Sequence, residues 1–550
     1  MNQPDELKKD APLVWSTGNG TDVWTLFLAC IEGNLDKVQR LVQADPSLAR
    51  CHFHYRKPIY FAVRENRLAV AEYLLDLDPD PTGLAVNDSL MDIARDRGYS
   101  EMQGLLEAKL HANYGVSAKG ERLAQAIRQH DARAVCRFLD ESPTLLHVGD
   151  SRGNQPIHWA ALTRQLDMID LLLERGADIE SKRPDGARPI QLSGGDYHHR
   201  GWRDVSSEHP TSPRDVIDHL RERGAYCDLC TASHIGDIAT VRELLDLDPK
   251  LVNRASDYVT YYPCSGTAIR NAAAAGHLEI VQLLLDRGAD PNLPEEGIAP
   301  RGHALYSAAA NGHFEIAKLL LEHGAYPNVE VESSADTLSR VLSNGDSKMR
   351  DLLCSYGASR GVHLLAYHND LQTAAAVFAA NPKLADDVDG LVNAAGENHE
   401  DFVRLMLRYQ SDLPSRISFP AWSVASKNRA INELLFQHGM NPNARDWLNV
   451  TPLHQFARTG DLERAAMFLE HGADVHARDE DICSTPLGWA AKFGQESMVG
   501  FLLEKGAKPK LPDDPIWATP IAWALRRGHT QIAEILDRHS GMSDRNSARM

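Results

Sequence analysis

The stretch "GHLEIVQLLLDRGADPN", residues 276–292, decides how this chain folds. Ile280 and the leucine run 283–285 recur at the spacing that lines one face of an α-helix. Gly288 then supplies a residue able to adopt the left-handed conformation that ends a helix. Nearly the same pattern returns as "GHFEIAKLLLEHGAYPN" at 312–328. Because one short helix cannot bury such a face alone, the repetition predicts stacked helical units.

A second module precedes several of these helices, as in "TPLHQFA" at 451–457 and "QPIHWAA" at 155–161. Thr451 can cap the start of a helix, and Pro452 suits its first turn. Together the two modules resemble the ankyrin repeat, a helix–turn–helix–loop unit of about 33 residues. The resemblance extends from Trp24 to about residue 540, in about sixteen copies. It implies an all-α ankyrin-repeat solenoid whose units stack into a curved superhelix.

The clarity of the repeats varies along the chain and suggests its organisation. We expect one continuous array over 24–540, between a polar N-terminal tail at 1–23 and a polar C-terminal tail at 541–550. Within that array the repeats fall into four stretches: diverged at 24–254, clear at 255–330, diverged at 331–446 and clear at 447–540. In some diverged copies, such as 24–49, Asp-Pro or Ser-Pro replaces the closing Gly-Ala-Asp and is expected to end the helix.

Composition excludes some classes of function. The formal net charge of −18 argues against general binding to DNA or RNA, which depends on clustered Lys and Arg. No apolar stretch is long enough to predict a membrane span, and the first residues lack the apolar core of a signal peptide. The eight cysteines are scattered and are interpreted as thiols. We therefore expect a cytoplasmic monomer that needs no cofactor.

The spacing of the repeats reveals one large insertion. From the proline of the first helix to the closing glycine, a regular copy runs from Pro156 to Gly176. The copy from Pro189 to Gly224 is longer by about fifteen residues, as counted on the same template. The extra residues lie in 194–213, "GGDYHHRGWRDVSSEHPTSP", which we call the insert. The loop 253–267, called the Tyr-rich loop, is also longer than the regular copies.

The insert and the Tyr-rich loop contain the residues predicted to bind a ligand. These are Tyr197, His198, His199, Arg200, Trp202, Arg203, Asp204, Tyr258, Tyr261 and Tyr262. Aromatic rings beside polar groups are typical of binding sites. We expect the rings of Tyr197 and Trp202 to pack over the concave face of the array, in a groove shared with the tyrosines. The favoured function is that of a binding or scaffold protein, which recognises a protein or a small ligand through this face.

Two alternatives remain open for the insert. It could be a surface loop without function, or it could hold the active site of an enzyme. In the enzyme, acid/base residues on the insert would act beside the Tyr-rich loop, and the candidates are His198, His199, Asp204 and His209. An enclosed pocket joining the two loops, with titratable groups within hydrogen-bond reach, would favour the enzyme. No catalytic residue is assigned on this basis.

A metal site is the weakest of the candidates. Cys227, Cys230 and His234 have a ligand-like spacing, but no second pair follows at a zinc-finger distance. The repeat alignment also places Cys230 and His234 on one helix, as structural residues. We therefore expect no bound metal. The partner or ligand cannot be named from these residues.

Overall fold

The chain folds into paired α-helices in a computed structural model that describes residues 1–77, 88–331, 335–417 and 427–547. It divides into two compact units. The N-terminal unit comprises Lys9–Arg95 and Tyr99–Ser359, and the C-terminal unit comprises Met1–Lys8, Asp96–Gly98 and Arg360–Met550. Helices dominate both units, which confirms the all-α fold predicted from the repeats.

The helices up to Ser355 are, in chain order, α1 (Gly20–Glu32), α2 (Leu35–Ala44), α3 (Pro58–Arg64), α4 (Leu68–Leu77), α5 (Leu90–Asp96), α6 (Ser100–Tyr114), α7 (Ala118–Arg128), α8 (Ala132–Glu141), α9 (Pro156–Leu162), α10 (Leu166–Glu174), α11 (Pro213–Glu222), α12 (Leu229–Ile235), α13 (Ile238–Leu247), α14 (Ala268–Ala275), α15 (Leu278–Asp286), α16 (His303–Ala310), α17 (Phe314–Glu322), α18 (Thr337–Ser343) and α19 (Ser347–Ser355). Short 3-10 helices lie at Pro46–Arg50, Pro143–His147, Pro189–Leu192 and Pro249–Asn253.

The pair α14 and α15 shows why the sequence folds in this way. The side chain of Thr267 caps α14, and Gly276, with a φ of 83°, makes the turn into α15. Small residues such as Ala272 and Ala273 are buried, so α12, α14, α16 and α18 pack against one another in that order. The second helices α13, α15 and α17 stack beside them. The result is the continuous core that the period predicts.

Diverged repeats end their second helix at the predicted point. Helix α2 ends before Asp45-Pro46, and the Asp45 side chain accepts a hydrogen bond from the Ser47 amide. Helices α8 and α13 likewise end just before Ser142-Pro143 and Asp248-Pro249. A 3-10 helix follows in each case, because proline cannot continue the α-helical hydrogen bonds.

A short pair of β-strands also belongs to the N-terminal unit. Its strands, β1 (Glu330–Val331) and β2 (Ala335–Asp336), are antiparallel, with Glu330 opposite Asp336. It forms the two-stranded sheet found among the described residues.

The C-terminal unit contains a second helical stack. Its helices are α20 (Val362–Tyr367), α21 (Leu371–Ala380), α22 (Val388–Gly396), α23 (Glu400–Tyr409), α24 (Arg429–Gln437), α25 (Pro452–Thr459), α26 (Leu462–Glu470), α27 (Pro486–Lys492), α28 (Glu496–Glu504), α29 (Pro520–Arg526) and α30 (Thr530–Ser547). Further 3-10 helices lie at Glu6–Lys8, Pro382–Ala385, Leu413–Arg416 and Ile516–Ala518. Helices α25, α27 and α29 pack in sequence.

Both terminal stretches contain helix. Leu7 is buried within the 3-10 helix Glu6–Lys8, and α1 begins at Gly20, inside the stretch 1–23. At the other end, the backbone of α30 continues to Ser547. Among the described helices, none combines the length and the apolar character needed to cross a bilayer.

Candidate functional site

The insert lies between the 3-10 helix Pro189–Leu192 and α11, as the spacing predicts. It leaves the repeat through a tight turn in which Gly195 has a φ of 96° and pairs with Arg200 in an isolated bridge. A Cβ at residue 195 would lie 2.3 Å from the amide nitrogen of Gly201. The Asp196 amide donates to the carbonyl of His199 across 2.9 Å. Residue 195 must therefore be glycine for this turn to close.

The Asp196 carboxylate fixes the first turn of the insert. Its Oδ1 accepts hydrogen bonds from the amides of His198 and His199, at 2.8 and 2.7 Å. Its Oδ2 accepts from Nη1 of Arg183 at 2.5 Å, and both side chains are buried. Burial raises the pKa of Asp196, but the charge of Arg183 and these hydrogen bonds outweigh it and hold the pKa below its usual value. The carboxylate is therefore ionised.

Arg183 connects the insert to two neighbouring segments. Its guanidinium also donates to Oδ1 of Asn154 at 3.1 Å and pairs with Asp185. It lies over the ring of Tyr258, with 5.8 Å between Cζ and the ring centroid. Tyr258 is buried, and burial raises its pKa. This tyrosine, which the sequence placed among the ligand-binding residues, is instead part of the support beneath the insert.

The Tyr-rich loop is held by a buried arginine of α14. Nη2 of Arg270 donates to the Thr260 carbonyl and to Oγ of Ser265, both at 2.8 Å. The loop also contacts the base of the insert, because a Cβ at Gly194 would lie 3.3 Å from the ring of Pro263. The structure therefore brings the insert and the Tyr-rich loop together at their bases.

A buried glutamate completes this support. Glu295 accepts from the amide and the hydroxyl of Thr267, at 3.0 and 2.8 Å, and contacts Nδ1 of His303 at 2.8 Å. Nε of Arg270 lies 3.7 Å from Oε2 of Glu295, the same oxygen that His303 contacts. Although burial raises the pKa of Glu295, the charge of Arg270 and these hydrogen bonds lower it to about 2. The ionised carboxylate thus ties the start of α14 to the start of α16.

The aromatic side chains of the insert are not packed as expected. The side chain of Tyr197 is 60% exposed and that of Trp202 is 73% exposed. Instead of covering the repeats, both rings flank Arg200, whose Cζ lies 5.1 Å from the Tyr197 centroid and 5.6 Å from that of Trp202. The expected packing is therefore wrong. The bond between Asp196 and Arg183 fixes the turn so that these rings project outward.

Two further polar residues of the insert, Arg203 and Asp204, lie near Tyr262 of the Tyr-rich loop. Arg203 pairs with Asp204 at 2.6 Å, and this bond lowers the pKa of Asp204 to about 2. Tyr261 is 41% exposed, and Tyr262 is half-buried. Burial raises the pKa of Tyr262, and the charges of Arg200 and Arg203 act in the opposite direction. Tyr262 therefore lies within electrostatic range of the insert.

The acid/base candidates do not form hydrogen-bonded pairs with one another in the described chain. The His199 ring and the Trp159 ring meet edge-on with 5.6 Å between their centroids, and the buried Nε2 of His199 has no hydrogen-bond partner among the described residues. Nδ1 of His209 accepts from the Thr211 amide at 3.2 Å. The carboxylate of Asp204 is bound to Arg203 and to the amide of Arg200. The pKa values of His198 and His199 are lowered, mainly by burial.

A cavity of about 720 Å³ is lined in part by His198 of the insert. Arg152, Ser117 and Leu110 are among its other lining residues, which come from α5, α6, the start of α7 and the loop before α9. No residue of the Tyr-rich loop lines this cavity. It is therefore not the pocket between the two loops that would favour an enzyme.

The metal candidates are placed as structural residues. Sγ of Cys230 donates to the Gly266 carbonyl at 3.3 Å, and burial raises the pKa of Cys227 to about 12. His234 is mostly buried, which lowers its pKa to about 4. Over the described ranges, no three His, Cys, Asp or Glu side chains form a group that could hold a metal ion.

Arg164 is a residue of this site that sequence reasoning missed. It occupies the turn between α9 and α10 with a left-handed φ of 55°. Its Nε donates to the Ser193 carbonyl at 3.2 Å, and its Nη2 would lie 2.8 Å from a Cβ at Gly201 of the insert. One signal was present in the sequence: most repeats have Gly or Asn at this turn.

The stacked helix pairs and the support beneath the insert define a helical-repeat protein with a specialised loop. Models of the ankyrin repeat match residues 152–183, 229–331 and 421–513. The chain therefore contains ankyrin repeats, as its sequence indicates.

Proteins with different names are similar to parts of this chain. A protein named "Probable E3 ubiquitin-protein ligase" from Oryza sativa subsp. japonica is 32% identical over 212 residues, which is 32% of this chain and 40% of the relative. The serine/threonine-protein kinase VIK of Arabidopsis thaliana is 43% identical over 54 residues, which is 10% of this chain and 12% of the kinase. An ankyrin repeat protein of Fowlpox virus is 29% identical over 125 residues, 22% of this chain and 30% of its own length. The chain spans less than half of each.

Proposed function

We propose that this protein binds a segment of a partner protein through the insert and the concave face next to it. The observation that carries the proposal is the exposure of Tyr197 and Trp202 on a loop with a buried anchor. Aromatic side chains are enriched where proteins bind one another, and leaving two of them in water has a cost that a partner would remove. Because Asp196 and Arg183 already hold the turn in place, the insert would lose little conformational entropy when a partner binds.

The relatives support a binding role for the repeats over any one catalytic activity. Their names include a ubiquitin ligase and a protein kinase, although both are similar in sequence to parts of this chain. A feature common to proteins with different activities is suited to recognition. A small ligand would bind to the same insert. The exposed rings of the insert form an open surface, however, and small molecules bind in enclosed pockets, so the surface suits a peptide better.

A peptide library displayed on phage tests the proposal with the full-length chain. Peptides selected on the wild type are compared on a variant in which a short Gly/Ser turn replaces 197–209. Asp196 is kept, because its loss would leave Arg183 without its buried partner. We expect the thermal midpoint to remain unchanged and the selected peptides to lose at least tenfold in affinity, a typical effect of removing central aromatic contacts.

Single substitutions provide the control. Trp202→Ser should weaken the same peptides, while Tyr226→Ser should not. Tyr226 is a matched control because it is also exposed and also lies beside an arginine, Arg188, but it is outside the insert. If no selected peptide depends on the insert, the proposed function is wrong.

A further inference from the structure

The arginines around the insert fall into two groups. Arg183, Arg203 and Arg270 each lie within salt-bridge distance of a carboxylate. In the described part of the chain, no carboxylate lies within that distance of three others, which are Arg152, Arg164 and Arg200. A guanidinium remains charged at any physiological pH, so these three side chains carry a positive charge with no salt-bridge partner among the described residues.

The three arginines surround the same short turn of the insert. Arg200 lies between the rings of Tyr197 and Trp202. Arg164 approaches Gly201, the next residue along the chain. Arg152 lies over the Trp159 ring at 5.5 Å, and His199 contacts the same ring. The positive charges therefore converge on the exposed aromatic surface that we propose as the binding site.

Arg164 is in a backbone conformation that disfavours its residue type. The same turn, just before the second helix of a repeat, is made by Gly236, Gly276 and Gly312 elsewhere in the N-terminal unit, each with positive φ. His130 occupies it one repeat earlier, with a φ of 56°. Arginine at such a φ costs free energy that glycine avoids. The hydrogen bond from Arg164 to the Ser193 carbonyl offsets only a small part of this free-energy cost.

We propose that Arg152, Arg164 and Arg200 recognise the anionic side chains of an acidic partner segment that lies along the insert. The inference rests on the proposed function and names the chemistry of its partner. Guanidinium groups bind carboxylate and phosphate oxygens with paired, charge-assisted hydrogen bonds. The arginine patch is complementary to such a segment, although the chain as a whole has a formal net charge of −18. Tyr197 and Trp202 contact the apolar parts of the same segment.

The peptides selected above test this chemistry. We expect them to contain Asp or Glu, and replacement of those residues by Asn or Gln should weaken binding tenfold or more. A second series carries phosphoserine in place of Glu. Tighter binding of either series supports the proposal and shows which source of negative charge the site prefers. Insert-dependent peptides without acidic residues would overturn this inference and leave the proposed function standing.

Arg164→Gly separates recognition from folding. Glycine suits the left-handed turn, so the variant should be at least as heat-stable as the wild type, while its affinity for the acidic peptides falls tenfold or more. His130→Gly is the matched control, since it makes the same backbone change one repeat away and should leave affinity unchanged. Arg200→Gln, on the surface, should weaken binding without affecting the fold. Unchanged affinity in both arginine variants would overturn the proposal, and a lack of any insert-dependent peptide would overturn it together with the proposed function.

Discussion

At the scale of single residues, one buried ion pair determines what the insert presents to solvent. Both Arg183 and Asp196 are buried, and each satisfies further partners besides the other. Removing Arg183 would leave the buried carboxylate of Asp196 without its ion-pair partner, at a cost of about 3–5 kcal/mol. Because the pair holds the first turn of the insert rigidly, Tyr197 and Trp202 project from a defined position.

The buried histidines of the repeats predict a dependence of stability on pH. Nδ1 of His158 accepts from the Gln155 amide at 3.0 Å, and its Nε2 contacts the Ser181 carbonyl at 2.9 Å. Burial lowers its pKa from 6.5 to about 4. Between these values the unfolded chain binds the proton more readily, so stability is complete above 6.5 and is lost as pH falls toward 4. His158 alone should cost about 2 kcal/mol between pH 7 and pH 5, as measured by urea unfolding.

His158→Gln isolates this contribution. Glutamine can accept and donate comparable hydrogen bonds but does not titrate in this range. The variant should therefore lose less stability than the wild type on going from pH 7 to pH 5. Identical losses in the two proteins would show that His158 does not control the acid response.

At the scale of elements, the turn that starts the insert requires glycine. Gly195→Ala should destabilise the turn by more than about 1–2 kcal/mol, because it adds a backbone clash to the cost of a left-handed residue. We expect the insert to lose its order locally, so that trypsin cuts faster at Arg200 and Arg203. Gly224→Ala is the control: its φ of 92° is similar, but a Cβ there meets no described atom within 4 Å. Equal cleavage rates in the two variants would refute a special role for Gly195.

The helices and the insert differ in how much of their structure can be predicted from the sequence. Helices such as α15 were predicted because their apolar residues follow a helical period, and the position of the insert followed from the length of the repeat. The direction in which the side chains of the insert point did not follow from the repeat pattern. It depends on Arg183, thirteen residues before its partner Asp196, in a contact that no period indicates. The role of Glu295 was not predicted either. Its partners Thr267 and His303 come close to it only when the repeats stack.

At the scale of the molecule, stability depends on cores that cross many repeats. In the N-terminal unit, one apolar cluster contains buried residues from Leu229 to Leu353 and so joins α12 to α19. No repeat in this cluster can cover its core without its neighbours. Damage to one helix should therefore spread through the cluster.

Leu284→Asp tests this cooperativity. Leu284 is fully buried in α15, so the substitution places an unpaired charge in the core and should cost about 4 kcal/mol or more. Leu278→Asp makes the same chemical change on the same helix, but at an exposed residue of the first turn, where an acidic side chain is favourable. Thermal unfolding and hydrogen exchange should therefore show a lower midpoint for Leu284→Asp alone, with faster exchange across α12 to α19. If exchange increased only in α15, the repeats would be folding independently, and the shared core would not be the source of their stability.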